Sequence, residues 1–204
     1  LQHKAMVDRI CGGQVMKALE SRLERNPVIA AVRAAETVEA AAKASPEVVF
    51  LLCGDILNVE KLVRRLKEAG KLVLVHMDLL GGIGRDHQAV EYLAQAVQPD
   101  GIISTRSQLI RAAKERGLLT VQRFFLLDSQ SVTMAAETAA SVRPDMVEVM
   151  PGICPRVIRR LSSAEGRRLP VIAGGMIEEK EDIVEALSAG ASGVSTSRTE
   201  LWEL

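Results

Sequence analysis

Ala173-Gly174-Gly175-Met176-Ile177, followed some twenty residues later by Gly193-Val194-Ser195-Thr196-Ser197, is the stretch whose reading decides the fold. Each piece closes a short apolar run, Pro170-Val171-Ile172 in one case and Ala191-Ser192-Gly193-Val194 in the other, and each opens a helix-like segment. Two successive strand ends that offer glycines, bare N–H groups and three hydroxyls suit a phosphate. In (β/α)8 barrels the loops after the seventh and eighth strands, with a short extra helix, commonly build such a site.

Working outward, eight apolar, β-branched-rich runs recur: Val28–Val32, Val48–Leu52, Leu72–His76, Gly101–Ser104, Leu119–Phe124, Met146–Met150, Pro170–Ala173 and Ser192–Ser195. Segments of helical period lie between them, at Glu36–Lys43, Val59–Ala69, Asp86–Ala96, Ser107–Glu115, Ser131–Val142, Pro155–Leu161 and Lys180–Ala189. Gly70, Gly117 and Gly190 stand where helices should end, and Asn58 and Ser107 are expected to be N-caps. Strands too apolar to alternate in polarity imply a parallel sheet, and eight of them imply closure. The alternative, an open flavodoxin-like sheet, fits the even rhythm less well. Roughly 22 residues serve each unit, which leaves little chain for lids and predicts an open mouth and a small ligand. The expected organisation is an N-terminal extension and helix over residues 1–25 and one α/β barrel domain over residues 26–204, with residues 14–25 plugging the barrel's N-terminal end. Residues 1–15 read as an upstream extension, with Met16 a plausible start.

Composition narrows the function classes. Apolar residues make up 48%, charged residues 25% and aromatics 2%, so the core is built from aliphatic side chains. Lysine plus arginine equals aspartate plus glutamate, at 26 each, and zero net charge gives no long-range attraction to nucleic acid or membrane. Cys11, Cys53 and Cys154 fit neither a disulfide framework nor a zinc spacing, which points to a reducing cytoplasm. No apolar run approaches a membrane span.

In a barrel the chemistry sits at the C-terminal strand ends. Those residues are Arg33, Asp55, His76 with Asp78, Ser104 with Arg106, Arg123, Glu148, Gly174-Gly175 and Ser195-Thr196-Ser197. Gly174 and Gly175 let backbone approach a phosphate, and Ser195, Thr196 and Ser197 add donors. Arg33, Asp78, Arg123 and Glu148 are expected to hold polyol hydroxyls, or to pair with one another across the mouth. His76, one place before its strand's end, is expected to face the helices as a satisfied core histidine. Gly81-Gly82-Ile83-Gly84 forms a second glycine-rich loop that could close over a ligand. No lysine stands at a strand end, which argues against Schiff-base chemistry. Metal-site spacing is missing too, so neither metal nor other cofactor is expected.

Several blocks then converge on one family. Phe50-Leu51-Leu52 with Gly54-Asp55-Ile56, His76-Met77-Asp78-Leu79 and Asp100-Gly101-Ile102-Ile103-Ser104-Thr105 resemble the glycerol-3-phosphate-responsive antiterminators. So do Gln122-Arg123-Phe124-Phe125-Leu126-Leu127-Asp128-Ser129, Glu148-Val149-Met150-Pro151-Gly152-Ile153, Ala173-Gly174-Gly175 and Val194-Ser195-Thr196-Ser197 with Leu201-Trp202. The resemblance runs from about residue 28 to the C-terminus. It implies a small barrel that binds glycerol 3-phosphate and then the leader mRNA of glycerol-utilisation genes, preventing termination without turning its ligand over. For RNA the residues themselves offer Arg156, Arg159, Arg160, Arg167 and Arg168, which read equally as a solvated helix face balanced by Glu165. The other class of function is an isomerase- or lyase-type enzyme of a small sugar or polyol phosphate, with Asp78 and Glu148 as acid and base. In a sensor, the Gly81–Gly84 loop and homodimer formation are the two candidate switching elements.

Overall fold

The computed structural model describes the backbone of residues 2–163 and 169–204 and the side chains of residues 14–163 and 169–204. An opening helix α1 (Gln2–Arg25) leads into alternating strands and helices: β1 (Val28–Val32), α2 (Val38–Lys43), β2 (Val48–Leu51), α3 (Val59–Glu68), β3 (Leu72–His76), α4 (His87–Tyr92) and β4 (Gly101–Ser104). There follow α5 (Ser107–Glu115), β5 (Leu119–Phe125), α6 (Ser129–Val142), β6 (Met146–Met150), α7 (Pro155–Ser162), β7 (Val171–Gly174), α8 (Lys180–Ser188) and β8 (Gly193–Thr196). All neighbouring strands pair in parallel, and β1 pairs with β8 to close the barrel. The fold is the (β/α)8 barrel that the even spacing predicts.

Strand parity divides the core in two. Ile29, Phe50, Leu74, Ile103, Val121 and Ile172 point inward and fill the barrel; Val49, Val75, Ile102, Val149 and Val194 point outward against the helices. Since both faces of every strand are covered, no polar alternation survives in the sequence. Leu19 and Leu23 of α1 belong to the inner cluster, with Val15 and Met16 packed beside them, so this helix stoppers the barrel's N-terminal end as expected.

Local chemistry sets the helix ends. Gly70, Gly117 and Gly190 take φ of +78°, +73° and +100°, the left-handed turn that ends a helix and that glycine adopts freely. The N-caps differ from expectation. Ser107 lies inside α5, after the capping position of Arg106, and its Oγ accepts from Gln122 Nε2 at 2.9 Å. Asn58 holds the capping position of α3 but turns its Oδ1 back to the Asp55 N–H at 2.9 Å. Aspartates do the capping elsewhere: Asp86 accepts from Ala89 N–H, and Asp128 and Ser131 cap α6 reciprocally.

Candidate functional site

A cavity of about 550 Å³ opens at the C-terminal mouth, over β1, β5, β6, β7 and β8. It gathers Arg33, Arg123, Glu148, Gly175, Ser195, Thr196 and Ser197, seven of the nine residues expected to hold the ligand, with Arg198 on its edge.

Its floor is a buried ionic network. Arg123 Nε donates to Glu148 Oε2 at 2.5 Å, and Ser195 Oγ donates to Glu148 Oε1 at 2.7 Å. Glu148 is fully buried and Arg123 and Ser195 nearly so. A carboxylate in such a place needs both partners, because an unpaired buried charge is costly. Gly174 creates the room: a Cβ there would lie 2.5 Å from both Glu148 Oε1 and Ser195 Oγ. The mutual pairing of mouth charges is thus realised as Arg123 with Glu148.

The wall beside it is backbone. Gly175 turns at φ +74°, where a Cβ would also meet Met150 Cε at 2.7 Å, and its carbonyl accepts from Gly152 N–H at 3.0 Å. Met176 follows at φ +61°, a conformation that costs a side-chain-bearing residue free energy and concentrates at functional turns. Among the described residues, no hydrogen bond within the chain engages the N–H groups of Met176, Ile177 or Ser197. Free backbone donors on two adjacent strand ends are groups of the kind that can bind an anion. Arg33, exposed on the rim and in no ion pair among the described residues, adds a cation.

Two expected contributors stand apart. Thr196 reaches the cavity, but its side chain is turned outward: Oγ1 donates to Ile177 O at 2.9 Å and accepts from Arg198 N–H at 3.1 Å, so the hydroxyl braces the loop. Asp78 does not line the cavity. Its Oδ2 accepts from Ser104 Oγ and the Thr105 N–H, each at 2.9 Å, and its Oδ1 accepts from Arg106 Nε at 3.1 Å. It organises the β3–β4 side of the mouth. The Gly81–Gly84 loop is likewise tied down, with Ile56 N–H donating to Gly81 O and Gly81 N–H donating to Gly54 O.

His76 corrects the expectation that it faces the helices. It shares parity with Leu72 and Leu74 and points into the barrel, 3% exposed, with Nδ1 3.7 Å from Asp78 Oδ2 and without a hydrogen-bond partner. Burial first, then the Arg123 charge, pushes its pKa down to about 4 against the pull of Asp78, so the imidazole is neutral. A protonated His76 beside Arg123 would put two cations under one mouth.

Arg156, Arg159 and Arg160 lie exposed on α7, away from the cavity; Arg160 donates to Thr133 Oγ1 at 3.1 Å. Arg167, Arg168 and Glu165 fall outside the described residues. Sequence reasoning missed the cavity's apolar side, formed by Leu52, Leu79, Phe125, Met150 and Met176. Period two carried the signal: Phe125 and Met150 stand two residues beyond Arg123 and Glu148 and so share their inward parity. Among the described residues, no three His, Cys, Asp or Glu side chains assemble as a metal site, and no helix is long and apolar enough to cross a membrane.

Fold and site define a compact (β/α)8 barrel with free backbone donors on its last two strands and a buried charge pair beneath them. This architecture hosts many functions, so comparison with known proteins carries the assignment further. Residues 28–202 match the family of glycerol-3-phosphate responsive antiterminators, and the chain belongs to that family. It is 33% identical to the glycerol uptake operon antiterminator regulatory protein of Listeria monocytogenes, with a TM-score of 0.82 over 87% of this chain and 95% of that one. A glycerol uptake operon antiterminator-related protein of Thermotoga maritima is 35% identical, with a TM-score of 0.77 over 87% of this chain and 98% of that one. The uncharacterized protein YgcP of Escherichia coli is 34% identical over 182 residues, which is 89% of this chain and 94% of the relative.

Proposed function

We propose that this protein is a cytoplasmic, non-catalytic sensor that binds glycerol 3-phosphate and, so loaded, binds the leader mRNA of glycerol-utilisation genes and prevents transcription termination. The observation that carries the reading is the pairing of the β7–β8 anion cradle with the buried Arg123–Glu148–Ser195 network in one cavity. The ligand's phosphate takes the N–H groups around Gly175, Met176 and Ser197, with Arg33 as counter-charge. Its hydroxyls face Arg123 and Glu148. An ionised carboxylate has acceptor sites to spare after two hydrogen bonds, so Glu148 orients a hydroxyl while it stays locked to Arg123 and Ser195. A carboxylate fastened on both oxygens suits holding a ligand better than shuttling a proton, which supports a sensor over an enzyme.

The test is calorimetric titration with sn-glycerol 3-phosphate, with glycerol and inorganic phosphate as controls and recovered ligand checked for turnover. Saturable binding that needs both halves of the molecule, with ligand recovered unchanged, is expected. Conversion of the ligand, abolished by Glu148→Gln, would overturn the sensor in favour of an enzyme. No binding would overturn the ligand.

A further inference from the structure

The cavity is larger and more apolar than its polar floor requires. Pockets of about 300–1,000 Å³ hold drug-sized molecules, whereas glycerol 3-phosphate is a three-carbon ester without an apolar group. Once the phosphate occupies the cradle, the 550 Å³ cavity keeps an unfilled side bordered by Phe125, Leu79 and Met176, which are 58%, 50% and 63% exposed. The chain has three phenylalanines, one tyrosine and one tryptophan. Phe50 and Trp202 are buried and Phe124 and Tyr92 half-buried, so Phe125 is the one exposed aromatic, and it stands at the lip of the ligand site. The same cavity is lined by the exposed Arg33 and Arg198, and Arg106 stands exposed just past β4, the strand that pairs with β5. Arg106 pairs with Asp78 at 3.1 Å, Arg198 approaches Glu178 and Glu200 only at 3.8 Å, and Arg33 has no ion pair among the described residues.

An exposed aromatic face with cations about it is the arrangement that holds a single-stranded nucleic acid: bases stack on the ring while phosphates meet the arginines. We propose that Phe125 is the stacking platform for one unpaired base of the RNA, and that bound effector forms the floor on which this base closes the cavity. The proposal rests on the sensor reading and adds the RNA-binding surface and the source of coupling. Effector and base then touch directly, so ligand-dependent RNA binding needs no large movement of a compact barrel. Reciprocity follows, because the RNA must tighten effector binding by the same factor as effector tightens the RNA. The surface lies at the mouth rather than on the α7 arginines.

The experiment uses RNA enriched from a random single-stranded library on the wild-type protein in the presence of sn-glycerol 3-phosphate. Affinities are then measured for the wild type, Phe125→Ala, Phe125→Trp and the double variant Arg159→Ala/Arg160→Ala. The expected result is effector-dependent RNA binding that weakens roughly 5- to 150-fold in Phe125→Ala, the range of one lost base stack. Phe125→Trp should retain it. In Phe125→Ala, RNA should no longer tighten effector binding, a readout that simple loss of stability would not produce. Equal RNA affinity in Phe125→Ala, or a loss confined to the α7 variant, would overturn the proposal and leave the sensor reading intact. Failure to enrich any effector-dependent RNA although the effector binds would overturn the proposal together with the RNA half of the sensor reading. A change of oligomeric state in Phe125→Ala without RNA would assign the patch to protein association and overturn it as well. If wild-type protein fails to bind effector at all, the sensor reading falls, and this inference with it.

Discussion

Glu148→Gln removes one charge from the floor of the site and almost nothing else. The substitution keeps shape and keeps one oxygen, but it leaves the Arg123 guanidinium, which donates to Glu148 at 2.5 Å, buried without its counter-ion. Breaking a buried ion pair by removing one partner costs about 3–5 kcal/mol, chiefly through the stranded charge. The lower end applies here, since the amide can turn its oxygen to Arg123 as a neutral acceptor while its NH2 donates to Ser195 Oγ. A chain of this size loses about 2–4 °C in Tm per kcal/mol, so a fall of roughly 6–12 °C is expected by circular dichroism in phosphate-free buffer. The double variant Arg123→Met/Glu148→Met provides the decisive comparison, because replacing both charges with apolar side chains strands neither. It should be less destabilised than the sum of its single substitutions by about 2 kcal/mol or more. Additive effects, or a Glu148→Gln protein within about 1 kcal/mol of wild type, would refute the buried, ionised pair and the floor built on it.

Three further expectations concern the frame of the site. Gly174→Ala should destabilise by roughly 1–3 kcal/mol and weaken ligand binding by calorimetry, since its methyl would sit 2.5 Å from Glu148 Oε1 and Ser195 Oγ; unchanged affinity would show that the network has slack. His76 binds fewer protons folded than unfolded between its folded pKa of about 4 and its ordinary value of 6.5. Stability should therefore fall as pH drops through that window, by up to about 3 kcal/mol, and His76→Asn should flatten the slope in urea titrations; an unaltered slope would remove His76 as its source. Leu19→Ala, which truncates the plug where it is 1% exposed, should lower stability by about 2–5 kcal/mol, and a loss below about 1 kcal/mol would mean that α1 does not close the barrel.

Much of the fold was legible in the chain because its determinants are local. Strand runs reappear as β1 to β8 with most boundaries within a residue, since apolar β-branched runs and C-terminal glycines act over a few positions. The capping side chains were less legible. Whether Asn58 bonds the helix or the Asp55 N–H depends on how the β2–α3 loop folds back against Gly81.

For the site, the order of strand ends along the chain told which residues stand at the mouth, and family membership followed from blocks spread over residues 28–202. Sequence order does not tell which of those residues meet. Glu148 and Ser195 are 47 positions apart and share a hydrogen bond because the barrel closes. Asp78, equally polar and equally terminal, is instead consumed by Ser104, Thr105 and Arg106 on the next strand. Parity decided the rest, turning Thr196 toward the loop behind it and His76, Phe125 and Met150 toward the mouth. Composition and spacing therefore determined the barrel, its plug and its polar rim, because these depend on neighbours in the chain. Tertiary structure alone decided the Arg123–Glu148–Ser195 floor and the apolar lip, because closing a twisted sheet brings together side chains from strands far apart in sequence.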